Sequence, residues 1–209
     1  LPLKGVWMDG AGSSLHSHHR WVPMEQFAHD FLRTGPDQKS FTGDGTKFTD
    51  YYAYGQPVMA AASGVVAAAS DTQQEDPMAM RQKGEALDAY FQRLQVDQMT
   101  RLSKGPLGIL GNYVVIDHGN NEYSLYAHLK PGSVAVKAGQ KVAQGELIAA
   151  VGTAGNSTEP HLHFQVCEGA DPLMCVGIPP TWKGVQPVFE DFPRAFQTAD
   201  QIYNTATSN

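Results

Sequence analysis

The clearest pattern of apolar and polar positions in the chain is a strict alternation from His161 to Val166. This is the period of a β-strand with one buried face, so Leu162, Phe164 and Val166 are predicted to pack into a core. Residues two apart on a strand share a face, which places the imidazoles of His161 and His163 together on the opposite side. A pair of partly exposed structural histidines would show the same pattern, so the alternation alone leaves both interpretations open.

Residues 113–118 and 122–129 also alternate, and the Gly119-Asn120-Asn121 connection between them is a strong signal for a β-hairpin. The apolar face predicted for the second strand consists of Tyr123, Leu125, Ala127 and Leu129. Its other face then carries Ser124, Tyr126 and His128. A histidine therefore again lies on the polar side of a strand.

A third alternating segment, residues 26–32, is also predicted to be a strand. One face would carry Phe27, His29 and Phe31, and the other Ala28, Asp30 and Leu32. His29 and Asp30 therefore cannot serve one site together from a regular strand.

The remaining pattern favours short strands and turns, and the fold class predicted is mainly β with an antiparallel sheet core. Residues 34–49 have no period and are predicted to form a surface loop, while residues 51–70 indicate a hairpin of small-residue strands. Glycines punctuate residues 131–152, which is typical of a compact sandwich or barrel. The stretch 177–209 is a proline-containing C-terminal tail whose polar end is expected to fray.

Residues 71–107 interrupt the β pattern and predict a helical insertion. Asp76 suits the N-cap position and Pro77 the first helical position, and Gly105-Pro106 would stop the helix. Helical spacing connects Met80, Leu87, Phe91 and Leu94. We expect this apolar stripe to pack on the domain, because it is short for a separate coiled-coil arm.

Composition narrows the classes of function. A chain of 209 residues can form one domain with an insertion, and we predict a single domain over 1–209. The 21 acidic and 15 basic residues give a net charge of -6 without a basic cluster, which argues against nucleic acid or anionic lipid as a partner. The longest apolar run, residues 58–69, is broken by Ser63 and Gly64, so no membrane span is expected.

Cys167 and Cys175 lie close together in a turn-rich context, which favours a local disulfide and an oxidising compartment. Two reduced thiols in a cytosolic protein are the alternative. The chain begins at Leu1 without a basic and apolar leader, as it would after removal of a signal peptide. We therefore expect a secreted or periplasmic bacterial protein.

Three motifs occur in an informative order: Tyr126-Ala-His128, Gly152-x-x-Gly155-Asn-Ser and His161-Leu-His163-Phe. Together they resemble the lysostaphin and LytM type of zinc metallopeptidase, the peptidoglycan endopeptidases, over residues 51–166 apart from the insertion. The resemblance implies a small antiparallel β-sheet core and one Zn²⁺ per chain. It also implies that His163 is a metal ligand and that His128 and His161 are catalytic. Tyr126 would add a hydrogen bond to the substrate or the oxyanion.

The upstream ligand motif departs from that family. Its usual His-x-x-x-Asp spacing would require a histidine where this chain has Gln26. A longer-spaced version is filled by His19 and Asp30, which are the predicted ligands. His16 and His18 remain alternatives to His19. His29 and His118 are interpreted as structural.

Two imidazoles and one carboxylate leave a fourth position open on a tetrahedral zinc, as in catalytic sites. The chain has no His-Glu-x-x-His motif to supply a glutamate base, so His161 and His128 would perform the proton transfers. The implied function is hydrolysis of stem peptides or cross-links of peptidoglycan by a zinc endopeptidase, with the oligomeric state open.

Three alternatives of other kinds remain. One is a non-enzymatic cell-wall scaffold or activator of the same fold, against which the full ligand set argues. Another is a zinc peptidase that acts on proteins outside the cell wall. A third comes from residues 131–152, which look like the barrel of biotinyl and lipoyl carriers but lack a lysine in the modified turn.

Overall fold

The computed structural model describes residues 1–12, 17–187 and 201–204. Antiparallel strands dominate this part of the chain, which confirms the predicted mainly β class. The strands are β1 (Val6–Asp9), β2 (His29–Leu32), β3 (Pro57–Met59), β4 (Gly64–Ser70), β5 (Asn112–Asp117), β6 (Glu122–Leu129), β7 (Lys141–Val142), β8 (Leu147–Ala150), β9 (Leu162–Glu168), β10 (Val176–Ile178), β11 (Gln186–Pro187) and β12 (Gln201–Asn204).

Most of these strands form one sheet in the order β11, β12, β1, β2, β9, β6, β5, β4 and β7, with β10 also paired to β9. β3 and β8 form a separate two-stranded sheet. β9 lies between β2 and β6 and is antiparallel to both. The strand that carries the His-x-His motif is therefore central and has partners on both sides.

The two faces of the sheet are covered differently. Direct cross-strand partners share a face, and Phe164 pairs with His29 on one side and with Tyr126 on the other. This face packs into the main core, whose large buried side chains include Leu3, Trp7, Phe31, Ile116, Tyr126, Ile148, Leu162 and Phe164. Val66 and Val142 join this core, and Val166 packs against it while remaining partly exposed. The opposite face holds a smaller cluster of Leu110, Val115, Leu125 and Ala127.

The hairpin β5–β6 forms as predicted, with Asn120 and Asn121 at φ values of 52° and 63° in the turn. Asparagine tolerates this left-handed conformation, which a tight hairpin turn requires. The face assignment along β6 is wrong, because Tyr126 packs into the main core whereas Leu125 and Ala127 lie on the opposite face. Asn112 pairs with Leu129 but Val114 pairs with Tyr126, so β6 contains an extra residue, and His128 there has a φ of 59°. This bulge interrupts the alternation and places Leu129 in the main core.

Two other strand predictions also need correction. Residues 51–70 do not form a hairpin, because β3 pairs with β8 whereas β4 pairs with β5 and β7. These distant partners bury Val58 and Val66 in the main core, which pairing between two small-residue strands would not achieve. Of residues 26–32 only 29–32 are a strand, since hydrogen bonds from Glu25 N–H to Val22 O and from Ala28 N–H to Glu25 O form turns before it. The predicted loop 34–49 contains no strand and leads into a short 3₁₀ helix, Phe48–Asp50.

The insertion is helical but differs in detail from the prediction. Asp76 caps only a 3₁₀ helix, Pro77–Ala79, and the main helix α1 spans Leu87–Leu102, followed by α2 at Pro106–Leu110. The expected packing of the stripe is wrong: Met80 is buried, but the side chains of Leu87 and Phe91 are more than half exposed. Neither α-helix of the described chain has the length and apolar run that a bilayer crossing requires.

After β9 the chain forms the predicted disulfide between Cys167 and Cys175. Part of the tail is ordered into strands, because residues 201–204 pair with β1 along its whole length as β12. The expectation of a frayed end is therefore wrong for these four residues. Residues 188–200 and 205–209 lie outside the described part of the chain.

Candidate metal centre

The site begins with a row of cross-strand partners on the face opposite the main core. Asp30 of β2 and Ala127 of β6 both pair directly with His163 of β9. This register brings the Asp30 and His163 side chains together although 133 positions separate them in the chain. His29 points to the other face, where its Nδ1 lies 2.6 Å from the Asp9 carboxylate. The structure thus separates His29 from Asp30 as the strand parity predicts.

The Asp30 carboxylate is the centre of the cluster. Its Oδ1 lies 3.1 Å from His163 Nδ1 and 3.5 Å from His161 Nε2. Its Oδ2 lies 3.4 Å from His19 Nε2. Three imidazoles therefore point a ring nitrogen at one carboxylate, whose side chain is 13% exposed.

His19 reaches the cluster from a 3₁₀ helix, His18–Trp21. The Ser17 hydroxyl oxygen caps this helix by accepting a hydrogen bond from the His19 N–H at 3.3 Å. His18 also approaches, with Nε2 3.6 Å from Asp30 Oδ2, but its side chain is 70% exposed whereas that of His19 is 5% exposed. His18, His19 and Asp30 each offer a donor atom within 4.8 Å of the others. His16, the other alternative, lies outside the described residues.

His163 is fixed by Gln165, two positions later on the same face of β9. The Gln165 side-chain oxygen lies 3.0 Å from His163 Nε2. An amide oxygen only accepts, so Nε2 carries the proton of this hydrogen bond. Nδ1 is consequently the nitrogen left facing Asp30.

His128 and His161 are oriented the opposite way. Backbone carbonyl oxygens lie 2.8 Å from each Nδ1, that of Ala154 for His128 and that of Glu159 for His161. Each Nδ1 therefore donates a proton, so each Nε2 is turned toward the site, where that of His161 lies 3.5 Å from Asp30 Oδ1. The two ring centroids are 4.8 Å apart, and the His128 ring is 5.8 Å from that of His163.

The support for His128 includes a close backbone contact. Gly111 has a φ of 64°, and a Cβ at this position would collide with the Ala154 carbonyl that accepts the His128 hydrogen bond. Gly155, in the Gly-x-x-Gly motif, has a φ of 86° and equally allows no side chain, because Gly111 and Ile109 lie against it. These two glycines let the insertion approach the loop that orients the site.

Protonation follows from burial and from the shared carboxylate. Burial lowers the pKa of His128 well below its usual value, and the nearby His161 and His163 add to the effect. Burial also lowers the pKa of His19, to about 3, against the charge of Asp30. Burial acts in the same direction on His161 and His163, but Asp30 outweighs it and raises the pKa of both, to about 9 for His163. Burial would raise the pKa of Asp30, yet the surrounding imidazoles hold it well below its usual range.

The donor set fits a zinc ion. His19 Nε2, His163 Nδ1 and an Asp30 oxygen are the ligand types that Zn²⁺ prefers, and the His163 hydrogen bond to Gln165 is the outer contact expected of a metal-binding histidine. Within the described residues, His18, His19 and Asp30 form the only set of three His, Cys, Asp or Glu side chains whose donor atoms all lie within 4.8 Å of one another, and His163 joins this set through its 3.1 Å contact with Asp30.

The sequence reasoning missed two residues and misplaced one. Glu25 Oε2 lies 4.0 Å from His19 Nε2, so a glutamate does reach the cluster without a His-Glu-x-x-His motif. Gln165 lies on the same strand face as His161 and His163. The alternation along this strand could therefore have identified it as a residue of the site. Tyr126 does not reach the site: it is buried in the main core, where its hydroxyl oxygen accepts a hydrogen bond from the Ala61 N–H at 2.8 Å. The bulge turns His128 away from the face that Tyr126 occupies.

Comparison with protein families gives a match over residues 95–174 to the model "Peptidase family M23". This segment contains the β5–β6 hairpin, His128, His161 and His163, whereas Asp30 and His19 precede it. The resemblance to lysostaphin-type metallopeptidases is therefore confirmed at the level of the family.

Two curated relatives are similar over shorter segments. "Peptidoglycan DD-endopeptidase ShyA" of Vibrio cholerae is 44% identical over 63 residues, or 30% of this chain and 14% of that protein. "DD-carboxypeptidase/endopeptidase Mpg" of Neisseria meningitidis is 41% identical over 75 residues, or 36% of this chain and 17% of that protein. The chain thus spans less than a fifth of the length of either relative.

Among solved structures, the catalytic domain of the prophage-encoded M23 protein EnpA from Enterococcus faecalis is 16% identical with a TM-score of 0.46. That similarity covers 82% of this chain and 87% of the EnpA chain.

Proposed function

We propose that this chain, which matches the model of peptidase family M23 over residues 95–174, is a zinc metalloendopeptidase that hydrolyses peptide bonds in the stem peptides or cross-links of bacterial peptidoglycan. One observation carries the proposal. Asp30 of β2 contacts both His163 of β9 and His19 of the 3₁₀ helix, and the oriented pair His128 and His161 lies beside His163. The groups that could bind a metal therefore lie next to the two histidines that could act on the substrate.

His19 through Nε2, His163 through Nδ1 and Asp30 through its carboxylate would hold one zinc ion per chain. When bound, the ion would supply a Lewis acid and lower the pKa of water to about 7. These three ligands leave a fourth position for water and substrate. His18 is the alternative to His19 and lies on the exposed side of the same 3₁₀ helix.

His128 would transfer protons, and His161 would stabilise the negative charge that develops on the substrate. His128 is neutral and its Nε2 is free, so it would accept the proton of the attacking water. His161 keeps its proton more readily, so its Nε2–H would donate a hydrogen bond to the peptide oxygen as negative charge develops there. The proton accepted by His128 would then pass to the leaving amine.

The name of the Vibrio cholerae relative, a peptidoglycan DD-endopeptidase, supports peptidoglycan as the substrate class. The Cys167–Cys175 disulfide supports a secreted or periplasmic location, because disulfides persist in oxidising compartments. The non-enzymatic scaffold and the peptidase of other proteins are the outcomes against which the proposal is tested.

The test is mass spectrometry of fragments released from purified peptidoglycan by the wild-type chain, with bound zinc measured in parallel. His163→Ala should lose both zinc and fragment release. His161→Ala should keep zinc and lose about 10²-fold or more in rate, the usual effect of removing one hydrogen-bond donor to the oxyanion. New amino termini in the wild-type digest would identify the bond.

His118→Ala is the matched control, since His118 contacts Ser63 and Ser124 rather than the site. It should retain zinc and activity. Full activity of His161→Ala would contradict the assigned role. A zinc-loaded chain that releases no fragments would favour the scaffold, and cleavage of unrelated proteins alone would favour the second alternative.

A further inference from the structure

Gln165 links the metal-facing histidine to the disulfide loop. Its side chain is buried on the site face of β9, and its oxygen accepts the hydrogen bond from His163 Nε2 at 3.0 Å. Its amide nitrogen lies 3.2 Å from the Pro172 carbonyl oxygen. A carbonyl oxygen only accepts, so the amide must direct NH₂ toward Pro172 and its oxygen toward His163. The loop thereby fixes which way the amide points.

The disulfide closes the loop that supplies this carbonyl. Cys167 and Cys175 are bonded across eight positions with Pro172 between them, and both sulfur atoms lie within 3.8 Å of the Gln165 amide nitrogen. Cys167 lies on β9 itself, and Val176, next to Cys175, pairs with Glu168 of β9. The loop that carries the Pro172 carbonyl is thus attached to β9 at both of its ends.

We propose that Gln165 is the positioning residue that fixes His163 as an Nδ1 zinc ligand, and that the Cys167–Cys175 disulfide holds Gln165 in place, so that zinc affinity depends on the disulfide. The inference takes from the proposed function only the role of His163 as a ligand. An imidazole whose Nε2–H is held in a fixed hydrogen bond presents the Nδ1 lone pair in one direction. Without Gln165 the His163 ring can rotate or adopt the other tautomer. Zinc binding must then select one of these arrangements, which lowers the affinity.

The experiment measures zinc affinity by competition with a chelator for the wild-type chain, Gln165→Leu, Gln165→Glu and the double variant Cys167→Ser/Cys175→Ser. Gln165→Leu should bind zinc about 10- to 100-fold more weakly, the usual effect of losing an outer-shell partner. Gln165→Glu keeps an acceptor for His163 and should restore most of the affinity. The double serine variant should lie between wild type and Gln165→Leu, because Gln165 can still reach His163 but is no longer held.

Serine replaces cysteine because free thiolates would themselves bind zinc. Val66→Ala is the control for general destabilisation, since Val66 is buried in the main core on β4, which β5 and β6 separate from β9. It should lower the unfolding midpoint and leave zinc affinity unchanged.

Nitrogen-15 NMR of the His163 ring in the metal-free protein gives a second readout that needs no zinc. A slowly exchanging Nε2–H should be present in wild type and Gln165→Glu and lost in Gln165→Leu. Wild-type affinity in Gln165→Leu, or an absent Nε2–H in wild type, would overturn the positioning role. Wild-type affinity in the folded serine variant would overturn the link to the disulfide. Failure of the wild type to bind zinc, with the Nε2–H intact, would instead reject the proposed function.

Discussion

The histidines of the site differ in which ring nitrogen is committed to the protein. His128 and His161 each use Nδ1 to bond a backbone carbonyl, whereas His163 uses Nε2 to bond Gln165. One choice leaves Nε2 for proton transfer and the other leaves Nδ1 for a metal. Hydrogen-bond partners rather than residue type therefore separate the proposed catalytic histidines from the proposed ligand.

This division predicts how zinc binding depends on pH. Asp30 raises the pKa of His163 to about 9, so below that pH the metal-free ring carries a proton on Nδ1 that zinc must displace. Burial lowers the pKa of His19 to about 3, so that ligand is already neutral. Apparent zinc affinity should therefore fall about tenfold for each pH unit below about 9.

The measurement is zinc competition from pH 6 to 9 with a chelator of known pH dependence. Calorimetry in buffers of different ionisation enthalpy should show about one proton released per zinc near pH 7. An affinity that does not change with pH would contradict the protonated state assigned to His163.

Among the elements, the helical insertion contacts the site through few residues. Tyr90 is the buried aromatic side chain of α1, and its hydroxyl oxygen lies 3.3 Å from the carbonyl oxygens of Ala79 and Thr158, the latter in the loop before His161. The apolar stripe that the helical spacing singled out instead faces outward at Leu87 and Phe91. Periodicity predicted a helix in this insertion, but α1 begins at Leu87 rather than at Pro77, and the pattern indicated the wrong face because contacts outside the helix decide what it buries.

Paired substitutions on α1 test that face. Tyr90→Ala should lower the free energy of unfolding by about 2 kcal/mol or more, since it removes a buried side chain. Phe91→Gln should change it by less than about 0.5 kcal/mol, since that ring is exposed. Denaturant unfolding monitored by circular dichroism measures both. A larger loss for Phe91→Gln would mean that the stripe packs on the domain after all.

At the scale of the molecule, the site joins parts of the chain that are far apart in sequence. His19 comes from a turn near the start, Asp30 from β2, His128 from the bulge in β6 and His163 from β9. The site therefore exists only when the sheet has formed. A metal that binds there stabilises the whole fold.

Thermal unfolding checks this coupling. Zinc at 100 times its dissociation constant should add about 2.7 kcal/mol, which for a domain of this size corresponds to about 5 to 10 °C in melting temperature. His163→Ala should show no such rise, while His161→Ala should retain it. A rise of equal size in His163→Ala would locate the stabilising zinc elsewhere.

The sequence by itself determined the features that depend on local backbone geometry. The period of a strand put His161 and His163 on one face and separated Asp30 from His29. The asparagine turn specified the β5–β6 hairpin, and the short spacing of Cys167 and Cys175 specified their disulfide. Each of these follows from neighbours within a few positions, where the chain itself restricts the geometry.

Only the tertiary structure decided what depends on strand register and on contacts between distant segments. The bulge at His128, the partners of β3 and β4, and the approach of Glu25 to His19 have no local pattern that specifies them. Strand alternation predicted that Tyr126 and His128 share a face. The bulge after Tyr126 inserts one extra residue and places the two side chains on opposite faces. The physical reason is that register is fixed by burying the two faces of the whole sheet at once, a constraint that no single segment contains.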